Sequence, residues 1–208
     1  MSRSGGGRLI VIDGIDGGGK TTQMDRIERW WTDRGRTVVR LRDPGSTPAG
    51  DRLRSLLLES DLDLHRRTEA LLFMAARSEM VASQIQPAIQ NDSIVVCDRY
   101  LLSTVVYQSI GGDVTPDDLW RVGRWAAGGV NPDLTILLDL PAAESMRRVG
   151  EDRDRMESRG VEYLERVRLA YRKQLPHAGG QFQLVDASRP VERVGEAVDE
   201  ALIQTFGG

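Results

Sequence analysis

Apolar residues along this chain follow two rhythms. Five short runs are apolar at nearly every position and rich in β-branched residues: RLIVID at 8–13, TVVRLR at 37–42, SIVVCD at 93–98, LTILLDL at 134–140 and FQLVDA at 182–187. Runs apolar on both faces predict the strands of a parallel sheet covered on both sides. Between them the spacing becomes helical. Residues 21–35 put Met24, Ile27 and Trp31 on one stripe and end at Gly35, placed as a C′ residue. Residues 66–90 form a long amphipathic pattern in which Pro87 predicts a kink or break. At 115–129 the order Thr115, Pro116, Asp118 supplies an N-cap, an N1 proline and an acidic N3. Residues 191–206 read as a closing helix. Strand–helix alternation of this kind predicts an α/β fold, a five-stranded parallel sheet with helices on both faces.

The 208 residues are read as one domain, with 1–7 as a flexible leader lacking an apolar core of its own. One segment breaks the pattern: 147–163, RRVGEDRDRMESRGVEY, is dense in charge and glycine. It reads either as a solvated helix–loop–helix or as a small lid, 147–160, that carries arginines to a phosphate.

Composition narrows the class. A net charge of -3 argues against a nucleic-acid backbone as the main partner, and no stretch reaches the length of a membrane span. Cys97 is the single cysteine, so an intrachain disulfide is excluded; it sits in an apolar run and reads as a small buried residue. His65 and His177 have no metal-ligand spacing. A cytoplasmic enzyme fits these features.

The chemistry starts at GIDGGGKT, residues 14–21, which satisfies G-x-x-x-x-G-K-[ST] between a strand and a helix. Backbone N–H groups of such a loop wrap a nucleotide phosphate, and a Cβ at Gly14 or Gly19 is expected to hinder that approach. Lys20 supplies a cation to the β- and γ-phosphates and Thr21 a hydroxyl to Mg²⁺. ATP-binding residues on this reading are Gly14, Ile15, Asp16, Gly17, Gly18, Gly19, Lys20, Thr21 and Thr22. Asp98 ends the third strand and suits the second carboxylate on the Mg²⁺ side, or a strand-end cap. Arg99 follows it toward the crevice above the strand ends, where ligands bind in open α/β sheets. GTPase signatures are missing: no N-K-x-D follows a strand and no D-x-x-G follows Cys97-Asp98.

Several ordered motifs carry a resemblance over nearly the whole chain: DGIDGGGKTTQ, LRDPGSTPAGDRLRSLLL, EALLFMAARSEM, VVCDRYLLSTVVYQ, PDLTILLDL, DRMESRG and LVDASRP. Together they resemble thymidylate kinases of the nucleoside monophosphate kinase group, with the P-loop NTPase fold. The resemblance implies transfer of the γ-phosphoryl of Mg·ATP to dTMP, in dTTP biosynthesis, by a homodimer. It implies that Phe73 stacks on thymine, that Arg77 one turn later bonds the base edge, and that Thr104, Tyr107 and Gln108 touch the base and shut out a 2′-hydroxyl. From the residues alone, Phe73 reads rather as core and Arg77 as solvated, while Thr104 and Tyr107 read equally as packing.

The family pattern further gives Arg54 and Arg99 the acceptor phosphate, Pro44 the sugar and base pocket, and Asp16 the acceptor 3′-hydroxyl. Asp16 beside a phosphate cradle needs a compensating partner, a hydroxyl or an arginine. Gly17 stands where some relatives carry an arginine, which places the charge in the lid on Arg147, Arg148, Arg153 or Arg155. Arg153 is the first choice for catalysis, with Lys20, Asp98 and Arg99; Arg148 is second, Arg155 is placed against adenine, and Ala187 in the adenine-edge loop. Asp43 departs from the glutamate of many relatives. The rival readings are a kinase for another monophosphate such as dUMP, and a P-loop binding protein without transfer activity.

Overall fold

The computed structural model describes residues 6–112, 114–149 and 160–207. Strands β1 (Arg8–Asp13), β2 (Val38–Arg42), β3 (Ile94–Asp98), β4 (Leu134–Asp139) and β5 (Gln181–Asp186) lie in one sheet, ordered β2-β3-β1-β4-β5. Every neighbouring pair is parallel, with Ile10 opposite both Val96 and Leu134 in register. The central strands are buried on both faces, as continuous apolar runs require: Leu9 to Ile12, Ile94 to Cys97 and Ile136 to Leu138 are essentially inaccessible. At the edge the pattern relaxes, and β5 leaves Phe182 and Leu184 exposed.

Helices α1 (Lys20–Thr32), α2 (Pro48–Leu58), α3 (Arg66–Met80), α4 (Gln86–Gln90), α5 (Leu101–Ser109), α6 (Pro116–Ala126), α7 (Ala142–Val149), α8 (Val161–Gln174) and α9 (Val191–Phe206) pack around the sheet. Their ends follow local chemistry. After α1, Gly35 (φ 72°) donates to Thr32 O and Arg36 donates to Trp31 O, the paired closure of a Schellman motif with glycine at C′. Thr115 accepts from the Asp118 N–H, as its sequence predicts, and Thr47 caps α2 identically by accepting from Gly50. The break expected at Pro87 takes the form of a π turn over Val81–Ile85, in which the Gln86 N–H reaches back to Val81 O. A proline ring clashes with the carbonyl four residues earlier, and one extra residue in the preceding turn relieves that contact.

α5 is buried on all sides from Leu101 to Gln108, so its polar residues have to be satisfied inside the protein or face a cavity. The chain leaves β1 toward β2 and leaves β4 toward β5, so the connections from these adjacent strands diverge above their C-terminal ends. Crevices of that kind are where ligands sit in open parallel sheets. Of the expected leader, Gly6 and Gly7 are described: Gly6 donates to Asp92, and a Cβ at Gly7 would collide with Ile89 O. The remaining leader residues, and 150–159 of the expected lid, lie outside the described residues.

Candidate active site

The loop after β1 is shaped by three left-handed glycines, Gly14 (φ 135°), Gly17 (φ 75°) and Gly19 (φ 87°). The physical demand differs at each. A Cβ at Gly14 would meet Leu138 O of β4 at 2.5 Å, so packing against the sheet by itself excludes a side chain there. At Gly19 a Cβ would stand in open space, with no described atom within 4 Å; the demand there is the backbone angle itself, which makes Gly19 the cap of α1. No described side chain caps that helix, and its first turn holds no acid, so the Lys20, Thr21 and Thr22 amides present a positive helix end. At Gly17 a Cβ would stand 3.2 Å from the Arg148 Cβ and from Ser145 O. Arg148, from the last turn of α7, donates to Gly17 O (3.2 Å) and to Ala187 O (3.1 Å). The place an arginine would leave from in the loop is therefore filled by one arriving from α7.

Asp16 has the compensating partners its position demands. One carboxylate oxygen accepts from Lys20 Nζ at 2.6 Å and from Arg99 Nη2 at 2.7 Å. Lys20 also lies against Gly14 O (3.3 Å) and Ile15 O (3.4 Å), folded back on its own loop. Arg99 has a left-handed backbone (φ 65°), unusual outside glycine, and donates its N–H to Ile12 O. That turn from β3 into α5 sends the guanidinium over the end of β1. Burial works against its charge, but Tyr171, Asp16, Tyr107 and Asp13 outweigh it and hold Arg99 well above its ordinary value.

Next to this pair lies a cavity of about 240 Å³. Of the nine residues expected to hold the acceptor, eight line it: Asp16, Pro44, Arg54, Phe73, Arg99, Thr104, Tyr107 and Gln108. Arg77 does not. It is buried behind the wall, donating to Asp43 Oδ2 (2.6 Å), to Thr104 Oγ1 (2.7 Å) and to the Met74 sulfur. The solvated alternative for Arg77 is thereby excluded. Gln108 is 1% exposed, and neither end of its amide has a partner among the described residues, so the pocket wall offers a free donor and acceptor. Arg54 reaches Pro44 O across the rim.

Thr21 and Asp98 line a second, shallower cavity beside the helix end, and Asp98 Oδ1 is buried without a partner among the described residues. An orphaned carboxylate oxygen beside a hydroxyl fits a hard divalent cation bound mostly through phosphates and water. Among the described residues no cluster of three or more His, Cys, Asp or Glu could hold a metal ion unaided. Arg153 and Arg155 lie outside the described residues.

Three residues of the site, Asp13, Ser103 and Tyr171, have no role legible in the sequence. Asp13, fully buried at the end of β1, accepts from the Gly14 N–H, Ser103 and Tyr171, which come from the loop, α5 and α8. The D of VIDG reads in sequence only as the last residue of a strand. Burial pushes the Asp13 carboxyl up, against Arg99, the two hydroxyls and the Gly14 amide; Asp43 is likewise raised by burial, against Arg77. Groups raised in the folded state add stability that is present below the unfolded value, about pH 4, and lost as pH rises through the folded one. Asp13→Asn is therefore expected to gain on the wild type as pH is raised from 4 to 7. Urea midpoints at the two pH values measure this; a constant difference would contradict it.

The sequence model of the Thymidylate kinase family matches residues 12–198. A thymidylate kinase of Rhodopirellula baltica is 52% identical over 200 residues, covering 96% of this chain and 81% of its own length. One from Bifidobacterium longum subsp. infantis is 40% identical, covering 96% of this chain and 87% of its own, and one from Neisseria gonorrhoeae is 35% identical, covering 96% and 98%. With a loop of the P-loop pattern, an adjoining cavity and likeness over almost its full length, the chain belongs to the thymidylate kinase family.

Proposed function

We propose that this protein transfers the γ-phosphoryl group of ATP to dTMP, giving dTDP and ADP for dTTP synthesis. The observation that carries the reading is the join between the two sites: one Asp16 oxygen touches both the P-loop lysine and the arginine of the acceptor cavity. In this reading Phe73 and the Gln108 amide take the thymine, and Thr104 and Tyr107 narrow the space around the sugar. Arg99 and Arg54 hold the acceptor phosphate, where a planar guanidinium can grip two oxygens and stays charged.

The attacking phosphate oxygen is already anionic, so no strong general base is needed and the protein's task is alignment and charge neutralisation. Lys20 leaves Asp16 and its loop carbonyls for the β- and γ-phosphates, while the loop amides and α1 hold the donor. Thr21 and Asp98 would hold Mg²⁺, which with bound ATP neutralises phosphate charge. Arg148, already on Gly17 O and Ala187 O, is the lid arginine placed at the loop, and we carry Arg153 and Arg155 forward as catalytic and adenine contacts. Closure of 147–160 excludes water from the transfer.

A single domain, a cytoplasmic location and a homodimer complete the proposal. No described helix is long and apolar enough to cross a membrane. Leu71 on α3 and Trp125 on α6 are exposed apolar residues that a second copy would cover.

A panel of monophosphates with ATP tests the reaction. We expect dTMP to lead, dUMP to trail by about tenfold or more for want of one methyl group, and AMP and CMP to fall much lower because they mismatch the polar wall. A preference for AMP or CMP would overturn the assignment.

A further inference from the structure

We propose that Tyr171, a residue of α8 that does not line the acceptor cavity, is a positioning residue that fixes where Arg99 meets the acceptor phosphate. The inference rests on the reading of Arg99 as a phosphate-gripping arginine. It follows from counting protons in a buried cluster. The Tyr171 hydroxyl lies 2.8 Å from Asp13 Oδ1, 2.7 Å from Ser103 Oγ and 2.9 Å from Arg99 Nη1. Ser103 Oγ lies 2.7 Å from the same Asp13 oxygen and 3.3 Å from the same Arg99 nitrogen.

Each hydroxyl has a single proton, and the guanidinium can only donate, so neither proton points at Arg99: they lie toward Asp13 or between the two hydroxyl oxygens, 2.7 Å apart. Both oxygens therefore face Arg99 as acceptors. The guanidinium, which can only donate, meets a pair of acceptors aligned by the carboxylate behind them. Its other amino group is held by Asp16 at 2.7 Å. With Nη1 and Nη2 each tied on one side, the plane of the fork is set and its remaining N–H bonds are aimed before any ligand arrives. Such preorganisation raises affinity by removing an ordering cost.

Nothing else in the position of Tyr171 requires a hydroxyl. The ring is 1% exposed and packs edge-to-face on Tyr107, with centroids 6.0 Å apart, a contact phenylalanine would keep. α8 itself is secured elsewhere, through the two-pronged Arg168 contact with Asp139 at 2.6 and 2.9 Å. The hydroxyl thus has a role separable from the packing of its ring.

The test is Tyr171→Phe, read by calorimetric binding of dTMP and of thymidine, which lacks the phosphate, and by the KM values of both substrates. The expected result is about tenfold weaker dTMP binding, the scale of one hydrogen bond to a charged group. Thymidine affinity and the KM for ATP should stay within about twofold, since the effect passes through Arg99 alone. In an Arg99→Ala background the same substitution should leave dTMP affinity unchanged. Equal losses for dTMP and thymidine, unaltered dTMP affinity, a loss that persists without Arg99, or failure of Tyr171→Phe to fold would each overturn the inference. Wild-type protein that neither binds nor phosphorylates dTMP would instead bring down the acceptor reading, and the inference with it.

Discussion

Lys20→Ala is expected to lower phosphoryl transfer by about a thousandfold or more while the protein stays folded. The magnitude follows from what one preorganised donor is worth at a site of developing charge, about 10²–10³ in rate, here strengthened by a full positive charge. The survival of the fold follows from the geometry. Lys20 pairs with Asp16, whose side chain is 37% exposed and keeps Arg99 at 2.7 Å when the lysine is gone. The Lys20 side chain is itself only 9% exposed, but its removal strands no buried charge, because the Asp16 carboxylate stays part-exposed and paired with Arg99. ADP release with dTMP as acceptor and a thermal melt measure the two halves. Turnover close to wild type would remove Lys20 from the mechanism. A collapsed melt would make it a structural residue, held by Gly14 O and Ile15 O as much as by Asp16. Lys20→Arg should not restore activity, because a broad planar guanidinium does not take the place of a compact ammonium against the β- and γ-phosphates.

What could be read in the sequence was whatever depends on neighbours in the chain. The strand runs, the Thr115 cap, the Gly35 closure and the phosphate loop are all local patterns, and the structure places each as expected. The Thr-Pro pair that opens α2 carried the same signal as Thr115-Pro116. The contacts across the site were not legible in that way. Asp13 and Tyr171 are separated by 158 positions, and Arg77 and Asp43 by 34, so only the folded sheet reveals them as partners. Arg77 illustrates the limit: helical spacing put it on the face of Phe73, yet Phe73 lines the cavity while Arg77 runs behind it. Gly14 illustrates another. A glycine in a phosphate motif suggests room for the ligand, but the Cβ it lacks would strike the end of β4.

The second large effect is expected at that hidden pair. Asp43 looked in sequence like a shortened version of the glutamate of many relatives. In the fold it is 2% exposed and bound to Arg77 Nε at 2.6 Å, with side-chain exposures of 0% and 1%. Asp43→Ala would leave the Arg77 guanidinium buried without its counter-ion, a change that typically costs about 3–5 kcal/mol. The Met74 sulfur and the face of Tyr100 are weak substitutes for a carboxylate. Replacing both members, as Asp43→Ala with Arg77→Met, should cost less than the sum of the single changes, because neither charge is then stranded. Denaturant midpoints of the four proteins give the coupling directly, and additive losses would show that the pair contributes through packing alone. Binding adds an independent readout. Arg77 also pins Thr104 Oγ1, and Thr104 lines the cavity. The double variant, even where it recovers stability, should still bind dTMP about tenfold more weakly, since the threonine hydroxyl has lost the donor that directs its lone pair. Recovery of stability without recovery of affinity would separate the two tasks of this pair: neutralising a buried charge, and orienting Thr104 in the cavity wall.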